Sequence, residues 1–238
     1  WNKLNANMVD FAFPHRYSNF VSLATALTLS RIQAQASLVE QVVKDHVKYG
    51  ASSSSRSTLT PAFFVNVYPF ESKLLAVRAF AKKSFRMPTF NDLYYADMGN
   101  SKLNPESALQ YDLGFVLNKD WKQGIVDHLR LQVDGYYNTV YDKIVAYPKG
   151  QQFRWTMLNL GKVHIKGVDA MAEVGLEPAK DWKVTARLQY TYQDARDVTD
   201  PNTSYYKDQI PYIPWHSGSA ILGLSWRELD LAYSFIYS

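Results

Sequence analysis

Cysteine is absent from the sequence, which excludes a disulfide framework, a thiolate zinc site and a cysteine nucleophile. Long apolar runs are missing too. The weakly polar stretch 20–30 falls far short of the roughly 18–20 residues a spanning helix needs. Formal net charge is +4, but no Lys/Arg block gathers it, so nucleic-acid binding has little support. The catalytic signatures are lacking as well: no Gly-x-Ser-x-Gly, no His-Glu-x-x-His, no phosphate-binding Gly loop. His15, His46, His128, His164 and His216 lie far apart with no i, i+4 pair, which argues against a histidine metal site. The expectation is a protein that is not an enzyme. The chain opens at Trp1 with no basic-then-apolar leader, so an export signal is expected to have been removed or to lie outside it.

What is present is alternation. From Trp182 to Asp194, the even positions Trp182, Val184, Ala186, Leu188, Tyr190 and Tyr192 are apolar or aromatic, and the odd ones are polar. A period of two means a strand with one greasy and one wet face. At about 3.4 Å per residue and a tilt of about 40°, such a strand crosses a bilayer core of about 25–30 Å in roughly 11–13 residues. Aromatics sit at both ends of its apolar face, where a spanning strand places its interfacial girdles. The same pattern gives about ten strand candidates: 19–29, 32–42, 59–67, 74–81, 108–117, 129–141, 155–176, 182–194, 218–226 and 229–237. Within 155–176 the apolar parity switches from Val163 and Ile165 to Val168, Ala170 and Ala172, which predicts a β-bulge at Gly167. Connections alternate in length, with long loops at 45–58, 82–107, 142–154 and 195–215 and shorter turns between them. Placing every long loop at one end is the habit of outer-membrane barrels. A soluble antiparallel sandwich or propeller is the alternative. The composition of 17 Tyr and 6 Trp suits girdles or an aromatic binding surface.

The loop at 82–107 opens Ser84-Phe85-Arg86-Met87-Pro88-Thr89-Phe90-Asn91-Asp92-Leu93-Tyr94-Tyr95 and closes Gly99-Asn100-Ser101-Lys102-Leu103-Asn104-Pro105-Glu106. Further on come Asn159-Leu160-Gly161, Gly167-Val168-Asp169, and Pro211-Tyr212-Ile213-Pro214-Trp215-His216. In order and spacing these resemble the barrel motifs of TonB-dependent outer-membrane receptors, over residues 63–237. Ser101 stands where that family often has Pro. The runs Asp92-Leu93-Tyr94-Tyr95 and Asp142-Lys143-Ile144-Val145 look most like the vitamin B12 (cobalamin) receptor branch.

The resemblance implies an all-β, antiparallel transmembrane barrel in the bacterial outer membrane, complete at roughly 22 strands around a plug. Residues 1–238 are then expected to be part of the barrel domain of a larger receptor, with the plug and final strands absent. It implies energy-coupled uptake of a scarce nutrient, with TonB acting through the missing plug. Cobalamin is the first substrate and an iron chelate (ferric siderophore or haem) the second. Outer-membrane lipids and a surface lipoprotein are the further partners it admits, and a non-transporting adhesion barrel is the reading from another class.

Candidate ligand contacts are the loop residues Arg86, Met87, Phe90, Tyr94, Tyr95, Tyr147, Tyr205 and Tyr206, whose aromatics could stack on a flat macrocycle. The plain alternatives are loop-ordering for Arg86, paired with Asp92, and headgroup anchoring for the tips, Phe153 and Trp155 among them. Asp194, Asp197 and Asp200 offer hard oxygen ligands for a structural Ca²⁺, without the spacing of an EF-hand. No other cofactor is expected.

Overall fold

The computed structural model describes residues 2–3, 11–95, 98–149 and 154–238. Strands β1 (Asn2–Lys3), β2 (His15–Thr28), β3 (Ile32–His46), β4 (Arg56–Val67), β5 (Leu75–Arg86), β6 (Glu106–Asp120), β7 (Val126–Lys149), β8 (Arg154–Leu176), β9 (Trp182–Asp197), β10 (His216–Trp226) and β11 (Leu229–Tyr237) form one sheet. Each strand pairs with its neighbours in the sequence, in the order β1 to β11, and every pair is antiparallel. The fold is an up-and-down meander forming an arc of barrel wall. One short helix, α1 (Phe90–Tyr94), interrupts the loop between β5 and β6. Among the described residues no helix is long and apolar enough to cross a membrane, which leaves crossing by strands untouched.

Register assigns the two faces. One row runs Asn66, Arg78, Gly114, Asp134, Asp169 and Thr191 through directly paired positions. This polar face is the inner one. Arg78 crosses Gly114 to grip Asp134 with two of its guanidinium nitrogens, Nε and Nη2, at 2.8 and 2.7 Å. Below it Glu173 gathers Arg187, Arg130 and His128 from the flanking strands. The opposite parity carries Leu23, Phe63, Phe115, Val133, Leu188 and Leu231 outward, with Leu23 at 74% exposure and Leu231 at 64%. A sheet that hides its charges inside and shows Leu and Phe outside suits hydrocarbon around it.

Aromatics bound this apolar band. Trp182 and Trp226 stack 5.5 Å apart at the short-turn end, with Arg227 over the Trp226 ring. Tyr190, Tyr192, Trp215 and His216 cluster at the other end. The buried cores lie beyond the band, at the long-loop end. One packs Val140, Val163, Ile165 and Ala195 under Ile210, and the other packs Leu93 and Leu103 on Ile144.

Two expectations are corrected. Gly167 carries no bulge: the β7–β8 register runs unbroken through Tyr136 opposite Gly167, and its irregularity falls at Val126–His128 instead. Val163 and Ile165 are inner-face residues like Asp169 and Glu173; they are apolar because the β9–β10 loop covers them with Ile210 and Ile213. The change of parity marks the strand leaving the lipid band. Likewise, 142–154 is largely hairpin, since β7 continues to Lys149 and β8 starts at Arg154. Backbone pairing does not depend on lipid, and Ile144 and Met157 find apolar cover in the β5–β6 loop.

Candidate functional site at the long-loop end

The β5–β6 loop, over its described residues 87–95 and 98–105, is a folded platform. Thr89 caps α1 by accepting the Asp92 N–H at 3.1 Å, while the Asp92 carboxylate accepts the Thr89 N–H at 2.8 Å. This reciprocal box satisfies backbone donors that a five-residue helix would otherwise leave open. Phe90 and Leu93 form its buried face.

Arg16 of β2, on the inner parity, draws the platform over the lumen. Its guanidinium holds the buried Asp45 at 2.6 and 2.8 Å, donates to the Pro88 carbonyl at 2.9 Å and lies over the Phe90 ring. On the other side Asn159 clamps the loop to the hairpin. Its Nδ2 donates to the carbonyls of Asp142 at 2.7 Å and Asn104 at 3.0 Å, and its Oδ1 accepts the Asn104 N–H at 2.9 Å. Asn100 donates to the Met157 carbonyl, and the Met157 N–H donates to Met98. At Gly99 any Cβ would collide with the backbone of Tyr94 and Tyr95, so the close approach requires glycine there.

These contacts give the sequence motifs their physical content. Arg86 is held by Glu106, with Asp92 farther off at 3.5 Å and Lys143 sharing Glu106. Phe90 is buried under Arg16, and Met87 is half-buried beside Pro88. None of these three lines the cleft that opens on the platform.

That cleft, of about 680 Å³, is lined by Phe11, Phe13, Tyr49, Leu93, Tyr94 and Tyr95 among others. Phe11 meets Phe13 edge-on at 5.4 Å, Phe13 meets Tyr49 at 6.1 Å, and the Lys48 ammonium lies 5.0 Å from the Tyr49 ring centre. The Tyr94 hydroxyl accepts the Ser53 N–H at 2.9 Å. Burial pushes its pKa above the usual tyrosine value, against the opposing pull of that hydrogen bond, so the phenol stays neutral. An open, aromatic-walled cleft with one cation at its rim can stack on a flat conjugated ligand.

Of the predicted aromatics Tyr94 and Tyr95 line the cleft, Phe90 packs on the Tyr94 ring at 6.1 Å without lining it, and the others stand apart. Tyr147 stands exposed on β7, on the parity opposite Ile144. Tyr205 is exposed and Tyr206 half-buried in the β9–β10 loop, where Lys207 lies over the Tyr206 ring. Trp155 leans on Tyr212, and Phe153 lies outside the described residues.

The three aspartates do not converge. Residues three apart on a strand point to opposite faces. Asp194 lies outward, paired with Arg196 at 2.7 Å and Lys166 at 3.4 Å. Asp197 falls on the inner parity and caps the Thr199 N–H, while Asp200 caps Asn202. Among the described residues no three acidic or histidine side chains come together as metal ligands. The calcium expectation is thus corrected by strand parity. Arg16, Asp45, Phe11, Phe13 and Tyr49 were not singled out from the sequence; partners 29 and 72 positions apart leave no local signal. Asn159 was visible as part of a motif, though its role was not.

A family model described as TonB dependent receptor-like, beta-barrel, matches residues 14–237. The chain belongs to this family. TonB-dependent receptor barrels are outer-membrane proteins, and the outward apolar band is what that setting requires. One relative is the vitamin B12 transporter BtuB of Vibrio vulnificus (strain YJ016), 28% identical over 118 residues, which are 49% of this chain and 17% of that protein. Among solved structures, the copper transporter OprC matches 95% of this chain and 34% of its own, with TM-score 0.67 at 20% identity. The FrpB iron transporter from Neisseria meningitidis (F3-3 variant) matches 95% and 33%, with TM-score 0.61 at 16% identity. The siderophore receptor PirA from Pseudomonas aeruginosa matches 97% and 48%, with TM-score 0.54 at 14% identity. The likeness to these structures is one of fold. This TonB-dependent receptor barrel chain spans less than half the length of each.

Proposed function

We propose that residues 1–238 are part of the barrel domain of a larger outer-membrane receptor, supplying an arc of wall and part of the vestibule. The receptor takes up a scarce nutrient with energy delivered through TonB, which acts on a plug outside this chain. Cobalamin is the first substrate, and a ferric siderophore or haem the second. The observation that carries the reading is the aromatic cleft of Phe11, Phe13, Tyr49, Tyr94 and Tyr95, set on a loop platform clamped over the lumen by Arg16 and Asn159. A flat macrocycle presents the π-surface such walls stack on. The sequence likeness to a vitamin B12 transporter favours cobalamin, and family membership favours TonB coupling. Tyr147 and Tyr205, exposed away from the cleft, are available to a surface lipoprotein partner.

The test is binding of cyanocobalamin to the full-length receptor in detergent, with a ferric siderophore and haem in parallel. Cobalamin is expected to bind, and Tyr95→Ala to weaken it several-fold, the loss of about 0.5–1.5 kcal/mol that one stacked ring contributes. Binding of an iron chelate alone would move the receptor to that substrate class. Binding of none of them would sink the uptake reading and favour a non-transporting surface barrel.

A further inference from the structure

Two histidines that lie far apart in the sequence are direct cross-strand partners at the long-loop ends of β2 and β3: His15 stands opposite His46. Arg16 and Asp45 beside them point to the inner face, so both imidazoles lie on the outer one. Side chains directly opposite on one face have Cβ atoms only about 4.5–5.5 Å apart. Here the two rings have their centres 5.3 Å apart and their planes within 14° of parallel. Tyr17 meets them edge-on at 5.6 and 6.1 Å and shelters one side. His46 is exposed and His15 half-buried, so the pair can be reached from solvent.

Two imidazoles held this way suit a late first-row divalent cation. Imidazole is a preferred ligand of Cu²⁺, Ni²⁺ and Zn²⁺. A tetrahedral ion about 2.0–2.1 Å from one nitrogen of each ring keeps the ring centres about 5 Å apart. The pair already stands at that spacing. Rotation about the last side-chain torsion, which is broad for histidine, turns a nitrogen of each ring toward the ion. The second nitrogen of each ring stays available to its other neighbours. Asp45 cannot join them, because it is buried on the opposite face with Arg16. The remaining positions of the ion fall to water.

The place of the pair gives such an ion a structural consequence. His15 follows Phe13 across the fully buried Pro14, and His46 precedes Lys48 and Tyr49. The same two segments meet again at the Ala12 carbonyl, which accepts the Lys48 N–H at 2.8 Å and the Tyr49 N–H at 3.3 Å. An ion across the histidines therefore ties together the two segments that carry Phe13 and Tyr49 into the wall of the cleft.

We propose that His15 and His46 form a two-histidine site for a divalent transition-metal ion, Cu²⁺ or Zn²⁺, which clasps β2 to β3 next to the cleft-forming segments. The site stands on strand register and ring geometry and does not depend on which nutrient the receptor takes up.

The experiment is Cu²⁺ titration of the full-length receptor in detergent, read by electron paramagnetic resonance. A species with hyperfine splitting from two nitrogens is expected. His15→Gln and His46→Gln should each reduce it to one nitrogen, while His216→Gln, whose ring bonds Tyr190 instead, leaves it unchanged. A footprint needs no variant. Diethyl pyrocarbonate acylates accessible imidazole nitrogens, and saturating Zn²⁺ should suppress its reaction with His15 and His46, whereas Mg²⁺, which seeks oxygen ligands, should not. Absence of a two-nitrogen species, its survival in both variants, or equal acylation of the two histidines with Zn²⁺ and with Mg²⁺ overturns the proposal.

Discussion

The side chains that matter most reach across a neighbour to a third strand, and they need that neighbour to be small. Arg78 meets Asp134 over Gly114, where a Cβ would overlap the Asp134 carboxylate. Tyr136 lies over Gly167, and His128 lies over Gly175 beside Glu173 of the same neighbouring strand. These inner-face glycines are spaces filled by a partner's side chain. Gly114→Ala should therefore displace Asp134 and cost about 1–3 kcal/mol, the range for overpacking. Gly135→Ala, with nothing near its would-be Cβ, should stay within about 0.5 kcal/mol. Thermal unfolding of the two full-length variants side by side checks this, and equal midpoints would show that the Arg78–Asp134 bridge contributes nothing at that site.

At the scale of elements, the β5–β6 loop behaves as a docked part. Its described residues, 87–95 and 98–105, have their own helix and cap, but their position comes from Arg16 on one side and Asn159 on the other. Asn159→Ala removes two hydrogen bonds between loop and hairpin, both to Asn104, and a third within the hairpin to Asp142. At about 1 kcal/mol net for each, local opening of the loop should rise by well over tenfold. Hydrogen exchange across 87–105 is the measurement. Protection there should fall while the β8–β9 ladder keeps its own; unchanged protection would mean that Arg16 and the Leu93–Leu103–Ile144 core hold the loop without Asn159. The Asn-x-Gly motif was legible as a marker of this place. What it does depended on where Asn104 arrives from 55 positions upstream.

For the whole molecule, the decisive property is which side of the sheet faces hydrocarbon. Leu188 and Gln189 are neighbours on β9 with opposite parity, and both are exposed in this chain. Leu188→Arg should cost the full-length receptor about 2–4 kcal/mol near the bilayer midplane, while Gln189→Arg on the lumen face costs little. Urea unfolding in liposomes measures both. If the two cost the same, the outward band does not meet lipid. β11 belongs to the same scale: it is exposed along its whole length and has no strand on its outer edge among the described residues.

Parity alone was enough to locate the strands from β2 to β11, since a period of two survives whatever surrounds it, and the alternation of loop lengths set their up-and-down order. It also marked the two ends of the outward apolar face of β9, where Trp182 stacks on Trp226 and Tyr190 and Tyr192 meet His216. It failed where the surroundings change along one strand. Val163 and Ile165 look like a register fault until Ile210 is seen above them, and Asp194 and Asp197 look like one site until the strand turns them apart. The cleft was half legible: Tyr94 and Tyr95 lie in a motif, but Phe11, Phe13 and Tyr49 join them only in space. Local periodicity is written into neighbouring residues and can be read there. Cover, pairing and convergence are made between residues distant in the chain, and only the folded arc brings them within reach of one another.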